Sequence, residues 1–251
     1  MPSRRRSLVR CLTTLALTLL AGAVMAQPAQ HHASARHHEG RKPMSILLVG
    51  ANGMIGSRIL AEATSRGHHV IAASRHPEKI AKGPDVEAVQ LDATDPGALS
   101  ALARKADVIV SATSPRGGGD AMKEARAVGD AEIAAARAAR KRLVVVGGAG
   151  SLRLPDGRSV ADTLPAAYRG EAVAMRAVLD SLKASDVDWT FFSPAMTIAP
   201  GLRTGKYRLG TTTVLSDVKG ESRISAEDFA DALVSELESP AHRRSQMTIA
   251  Y

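Results

Sequence analysis

From Ser45 onward, short runs of β-branched and other apolar residues alternate with longer stretches in which alanine-rich apolar positions recur every three or four residues. The runs at 46–49, 69–73, 87–91, 108–110, 143–146 and 189–192 read as strands, and helices are expected at 54–66, 96–105, 119–140 and 166–184. Strands that are apolar on both faces, each leading into a helix, imply a parallel sheet covered on both sides with right-handed crossovers. The expected class is α/β, doubly wound. Beyond Pro194 the regularity weakens. A short polar hairpin is expected over 206–216, Ser225-Ala226-Glu227-Asp228 reads as a capped helix start running to about Glu238, and 247–249 as a last strand. Trp189, Phe191 and Phe192 share one strand, so packing inside the core is their default role.

The first 43 residues follow a different pattern. Arg4-Arg5-Arg6 precedes an apolar run, and Val24-Met25-Ala26 puts small residues where a signal peptidase cuts, so 1–26 is expected to be a signal peptide. The apolar run, about 13 residues, is shorter than the ~20 that a membrane-spanning helix needs, and no stable membrane anchor is expected. Arg5-Arg6-Ser7-Leu8-Val9-Arg10 also fits the twin-arginine pattern, a route that carries folded proteins, although clustered arginines serve an ordinary leader equally well. Residues 27–43 form a His-rich flexible linker carrying His31, His32, His37 and His38; a spacer is favoured over a metal site, because a solvated linker has no outer shell to fix ligands. The expected location is periplasmic or secreted after cleavage. A start at Met44, just before the first strand, would instead give a cytoplasmic protein.

Charge and cysteine content narrow the field. The formal net charge of +8 includes Arg4, Arg5, Arg6 and Arg10, and without them it falls to +4. No arginine-rich stripe with interleaved aromatics remains, so no nucleic-acid partner is expected. Cys11, the single cysteine, lies in the leader, which removes thiol catalysis, a disulfide framework and cysteine-bound zinc from the mature chain.

Chemistry shows first in Gly50-Ala51-Asn52-Gly53-Met54-Ile55-Gly56, which joins the first strand to the first helix. A pyrophosphate needs a turn free of side chains, backbone N–H groups aimed at it and the positive end of a helix dipole. Three glycines in a strand-turn-helix context supply all of these, and the domain over 44–251 is therefore expected to be a Rossmann-type NAD(P)-binding sheet. About 20 residues after such a loop, an NAD site places an acid on the ribose hydroxyl. This chain instead has Ser74 and Arg75, a hydroxyl and a planar cation suited to a 2′-phosphate, which favours NADP(H) over NAD(H). Asp92 and Ala93 follow the third strand near the adenine region, and Ala112 and Thr113 follow the fourth, where the nicotinamide ribose would pass. Arg116 and the triple glycine at 117–119 read as a flexible lid or a plain connector.

The segments LLVGANGMIGSRIL, SRHPEKI, LVVVGGAGSL, FFSPAMTIAPGLRTGKYRLG and SRISAEDFADALVSELE resemble the atypical short-chain dehydrogenase/reductases. The similarity is greatest to the NAD(P)H-binding group of NADH-flavin reductases, with biliverdin reductase B and the NmrA-like sensors more distant. It covers about 44–251 and implies a nicotinamide cofactor held by Gly50, Gly53, Gly56 and Arg75, with substrate near Ser151 and the 194–210 loop. The chain departs from the wider superfamily at the tyrosine–lysine pair: Tyr168 is followed four positions later by Ala172. Ser151 and Tyr168 are the candidate catalytic residues that remain. The expected activity is hydride transfer to a flavin, quinone or similar planar small molecule, which asks little acid–base chemistry of the protein. A nucleotide sensor without turnover and a sugar epimerase or dehydratase are the alternatives, and the protein is expected to be a monomer or homodimer.

Overall fold

The computed structural model describes residues 42–251. The expected leader, Cys11 and the four linker histidines lie outside the described residues. The chain runs through β1 (Ser45–Val49), α1 (Met54–Ser65), β2 (His69–Ser74), β3 (Val86–Gln90), α2 (Pro96–Ala103), β4 (Val108–Ser111), α3 (Ala121–Ala139) and β5 (Arg142–Val146). It continues with α4 (Val160–Thr163), α5 (Ala166–Ala184), β6 (Trp189–Ser193), β7 (Thr197–Ala199), β8 (Arg208–Gly210), β9 (Arg223–Ser225), α6 (Ala226–Glu238) and β10 (Ser245–Ala250).

Eight strands form one sheet in the order β3-β2-β1-β4-β5-β6-β10-β8, parallel throughout except where β8 runs against β10. Side-chain alternation along each strand sorts the core into two layers. Ile46, Leu48, Val70 and Phe192 face α1 and α6, whereas Leu47, Ile71, Ile109 and Phe191 face α2, α3 and α5. This two-sided burial is why the strands read as continuous apolar runs. Phe192 stacks on Phe229 of α6 with ring centroids 4.4 Å apart. Such a pair contributes about 1 kcal/mol beyond the area it buries.

Three helix starts carry side-chain caps, the one expected at Ser225 among them. Asp95 accepts from the backbone N–H of Gly97 and Ala98, Asp120 from Met122 and Lys123, and Ser225 from Asp228. One expectation for the C-terminal third needs correction. No hairpin forms over 206–216: only Arg208–Gly210 is a strand, and it pairs with β10. The following residues turn to Arg153 instead, where Val214 joins Leu152 and Val160 in a small apolar cluster. Burial of Val214 there outweighs the local preference for a turn. A two-stranded parallel sheet of β7 and β9 was also not anticipated, since strands of three residues are too short to show a period.

Candidate functional site

Strand order reverses between β1 and β4, because β1 leads outward to β2 on one side while β4 continues the sheet on the other. At such a switch point the loops beyond the carboxyl ends of the strands part and leave a crevice. The glycine turn lies in it. Gly50 adopts φ +82°, and a Cβ there would meet the carbonyl oxygen of Ala112 at 2.7 Å. A Cβ on Gly56 would lie 2.1 Å from the Gly50 carbonyl oxygen, so Gly56 lets α1 close onto the turn rather than facing the crevice. The turn is held by Gly50 N–H donating to Ala73 O at 2.9 Å and Gly53 N–H to Gly50 O at 3.1 Å. Helix α1 has no capping side chain and no acid in its first turn. Its N-terminal amides are thus left to an anion.

The crevice holds two adjoining cavities. One, of about 280 Å³, is lined by Gly50, Asn52 and Gly53, by Ser74, Arg75, Asp92 and Ala93 at one end, and by Ala112 and Thr113 at the other. Arg75 lines this end beside Asp92, near enough for its charge to act on that carboxyl. Ser74 accepts the backbone N–H of His76 at 3.0 Å, which fixes the hydroxyl beside it. Asp92 accepts both the backbone N–H and the hydroxyl of Thr94, and these bonds, with a smaller contribution from the charge of Arg75, hold its carboxyl below the usual range. The second cavity, of about 610 Å³, shares Gly53, Ala112, Thr113 and Met175 with the first and adds Met54, Ile55, Tyr168, Met196 and Ile198. Its walls are largely apolar, with the volume of a typical small-molecule site.

The walls of the second cavity are fixed from a distance. The segment between β7 and β8 is tied down by Arg203, which bonds Glu62 of α1 at 2.8 Å and Asp231 of α6 at 2.6 Å. Asp228 accepts the N–H groups of Thr204 and Gly205 as well as the Thr204 hydroxyl. Burial pushes Glu62 upward, but hydrogen bonds from Arg203 and Arg66 outweigh it and keep the carboxyl below its ordinary value. Across the mouth, Arg116 forms a two-pronged pair with Glu171 of α5 at 2.8 and 2.9 Å, and the Gly117 N–H donates to Glu124. The triple-glycine segment is therefore anchored at its N-terminal end.

Of the two candidate catalytic residues, Tyr168 lines the second cavity from the first turn of α5, 65% exposed. Ser151 follows Gly148, Ala149 and Gly150, which line the second cavity, and is itself half-buried behind them. Its hydroxyl donates to Gly148 O at 2.7 Å, lies 2.8 Å from the Ser193 hydroxyl and accepts from Gln246 at 3.0 Å. It joins the end of β5 to β6 and β10. Gly147 and Gly150 of the same segment serve packing, because a Cβ would strike the Phe191 ring at 2.1 Å or the Ala172 side chain at 2.4 Å. Sequence reasoning missed Glu132, a carboxylate on the inner wall of the first cavity, although it interrupts the apolar stripe of α3 formed by Ala125, Val128, Gly129 and Ala136.

Comparison with known proteins agrees with this geometry. A model of NAD(P)H-binding proteins matches residues 50–240, which include the glycine turn and both cavities. The chain belongs to the NAD(P)H-binding family. Among solved structures, a Burkholderia pseudomallei protein described as exported is 43% identical with a TM-score of 0.74, covering 83% of this chain and all of its own. A Bacteroides thetaiotaomicron protein described as an epimerase is 36% identical, TM-score 0.77, over 84% of this chain and 98% of that one. A Streptococcus pneumoniae protein described as an NADH-flavin reductase is 29% identical, TM-score 0.70, over 82% and 99%. The NAD(P)H-binding family and its oxidoreductase-like fold thus account for nearly the whole described region. No group of three His, Cys, Asp or Glu residues is placed to hold a metal among the described residues.

Proposed function

We propose that this protein is an NADPH-preferring reductase that passes hydride to a flavin, quinone or similar planar acceptor. The observation that carries the proposal is the pair of adjoining cavities, a polar one with the glycine turn and Arg75 and an apolar one beyond Thr113. The Asn52 N–H and the uncapped amides at the start of α1 would hold the pyrophosphate, while the Gly50, Ala51 and Gly53 amides keep the turn in shape. Arg75, with Ser74 beside it, would clamp the 2′-phosphate, and Asp92 and Ala93 would border the adenine. Ala112 and Thr113 would border the nicotinamide. When bound, the reduced nicotinamide supplies a hydride. The chain's part is to place an acceptor against Met54, Met175 and Met196, whose flexible side chains adapt to a flat ring, and to exclude water from the contact. Tyr168 serves as an aromatic wall; the position four residues on, Ala172, offers no lysine to lower its pKa.

The epimerase reading finds support in the Bacteroides relative, but that chemistry needs an acid–base pair beside the substrate. Tyr168 with Ala172 does not make one. Mixing the protein with NADPH and either a free flavin or a soluble quinone tests the proposal: NADPH absorbance is expected to decay only with acceptor present. Nucleotide binding without decay, over a panel of both acceptor classes, would favour a sensor. Export belongs to the same proposal, supported by the leader pattern and by the exported Burkholderia relative. Fractionation with an antibody to the domain checks it, and protein found in the cytosol alone would place its start at Met44.

A further inference from the structure

Glu132 lies on the same face of α3 as Val128 and Glu124, one and two turns earlier in the helix, and all three line the nucleotide-side cavity. Its residue is 1% exposed, and Oε1 has no hydrogen-bond partner. A buried carboxylate without a counter-charge is costly, so such a group retains its proton. Burial pushes Glu132 up to about 7, with the Ser111 side chain drawing it partly back. Ser111 ends β4, and its hydroxyl is 3.0 Å from that of Thr113. Thr113 lines both cavities. Glu132, Ser111 and Thr113 thus line one cavity in turn, and Thr113 stands at the boundary between the two chambers.

The surroundings explain why the carboxyl is isolated. Helix α5 faces it with Met175 and Val178, and β5 with Val145. Neither α2 nor β4 contains a charged residue. The other titratable groups lining the cavity are Glu124, engaged with the Gly117 N–H, and Arg75 and Asp92 at the adenine end.

We propose that Glu132, Ser111 and Thr113 form a proton relay that delivers to the acceptor the proton it takes up with hydride. The proposal rests on hydride transfer as the activity. Hydride brings two electrons and one hydrogen, and a flavin or quinone so reduced needs one further proton on a nitrogen or oxygen. The Thr113 O–H gives its proton to that atom, Ser111 replaces it, and Glu132 replaces the proton of Ser111. The carboxylate left behind is reprotonated from water once product leaves. One reduced nicotinamide, one proton and one acceptor give one oxidised nicotinamide and one fully reduced acceptor. Glu132 acts through the two hydroxyls and touches no substrate itself.

Three measurements on the wild type, Glu132→Gln and Thr113→Val test the relay. Infrared titration without nucleotide is expected to show a protonated-carboxyl band that fades near pH 7 in the wild type and is missing from Glu132→Gln. Calorimetry is expected to show NADPH binding to Glu132→Gln at wild-type affinity. With a soluble quinone, wild-type kcat is expected to fall above about pH 7, and both variants to lose that limb together with at least about tenfold in kcat. If NADPH binds but Glu132→Gln keeps the wild-type pH profile, or the band is absent from the wild type, the relay is overturned and hydride transfer stands. If NADPH does not bind the wild type, both fall together. Thr113→Val leaves the carboxyl in place, so its pH profile decides the matter if Glu132→Gln does not fold.

Discussion

Replacing Glu132 by glutamine should change stability in a way that depends on pH, whether or not the protein turns over. The folded carboxyl titrates at about 7 against an ordinary value of 4.5, a raised value caused by burial. Below 4.5 both folded and unfolded chains hold the proton, and the group costs nothing. As pH rises, the unfolded chain releases it first, so stability is lost until pH passes about 7 and is constant thereafter. The full loss is about 3 kcal/mol at 1.36 kcal/mol per unit. Glutamine has nearly the same shape and does not titrate. Its buried amide costs about 1 kcal/mol if unpaired, but that cost is the same at every pH. Urea unfolding of both proteins at pH 5 and pH 9 is the assay. The variant's stability relative to the wild type is expected to improve by roughly 2–3 kcal/mol between the two, equivalent to several degrees in Tm. A difference that stays constant with pH would mean that Glu132 is ionised and paired in the folded state, and the isolation argued from its surroundings would be wrong.

Other perturbations give outcomes of different sign or kind. Glu236 has the reverse linkage: burial raises its pKa, but bonds from His242, Arg142 and the Ala241 N–H outweigh this and bring it to about 2. Its stabilisation, about 3 kcal/mol, is therefore present above 4.5 and lost as pH falls through about 2. Glu236→Gln should be destabilised at pH 7 and progressively less so in acid, measured by denaturant melts. Gly56→Ala puts a methyl 2.1 Å from the Gly50 carbonyl oxygen, so the turn must move; loss of nucleotide binding is expected in calorimetry, together with about 1–3 kcal/mol of stability. Tyr168→Phe is expected to retain most of the wild-type reduction rate in steady-state assays, since the ring and not the hydroxyl forms the wall of the acceptor chamber.

Local signals in the sequence were enough for the sheet and the glycine turn. Strands β1, β2, β4, β5 and β6 are buried on both faces, so their apolar runs were visible without knowledge of their partners. The turn was legible because its three glycines stand within seven residues and Gly56 answers to Gly50 itself, although the carbonyl that crowds Gly50 comes from distant Ala112. Features made by distant residues were not. Ser151 is oriented by Gln246, 95 positions away, a bond that nothing near the serine in sequence announces. Arg203 reaches Glu62 across 141 positions to fix the loop beside the acceptor chamber. The segment after β8 follows Val214 into a cluster with Leu152 and Val160 rather than the turn its polar residues suggest. Glu132 was missed in the sequence, because its isolation depends on what α5, β4 and β5 place opposite it.

The central claim is that Arg75, at the end of β2, makes this crevice an NADPH site, and paired calorimetric titrations of the wild type and Arg75→Ala with NADPH and NADH test it most directly. The wild type is expected to bind NADPH at least about tenfold more tightly than NADH, a difference of about 1.4 kcal/mol that disappears in Arg75→Ala. Equal affinities in the wild type, or a preference that survives the substitution, would contradict the role given to Arg75. Failure of both nucleotides to bind would reduce the glycine turn to a structural element and remove the basis for a reductase.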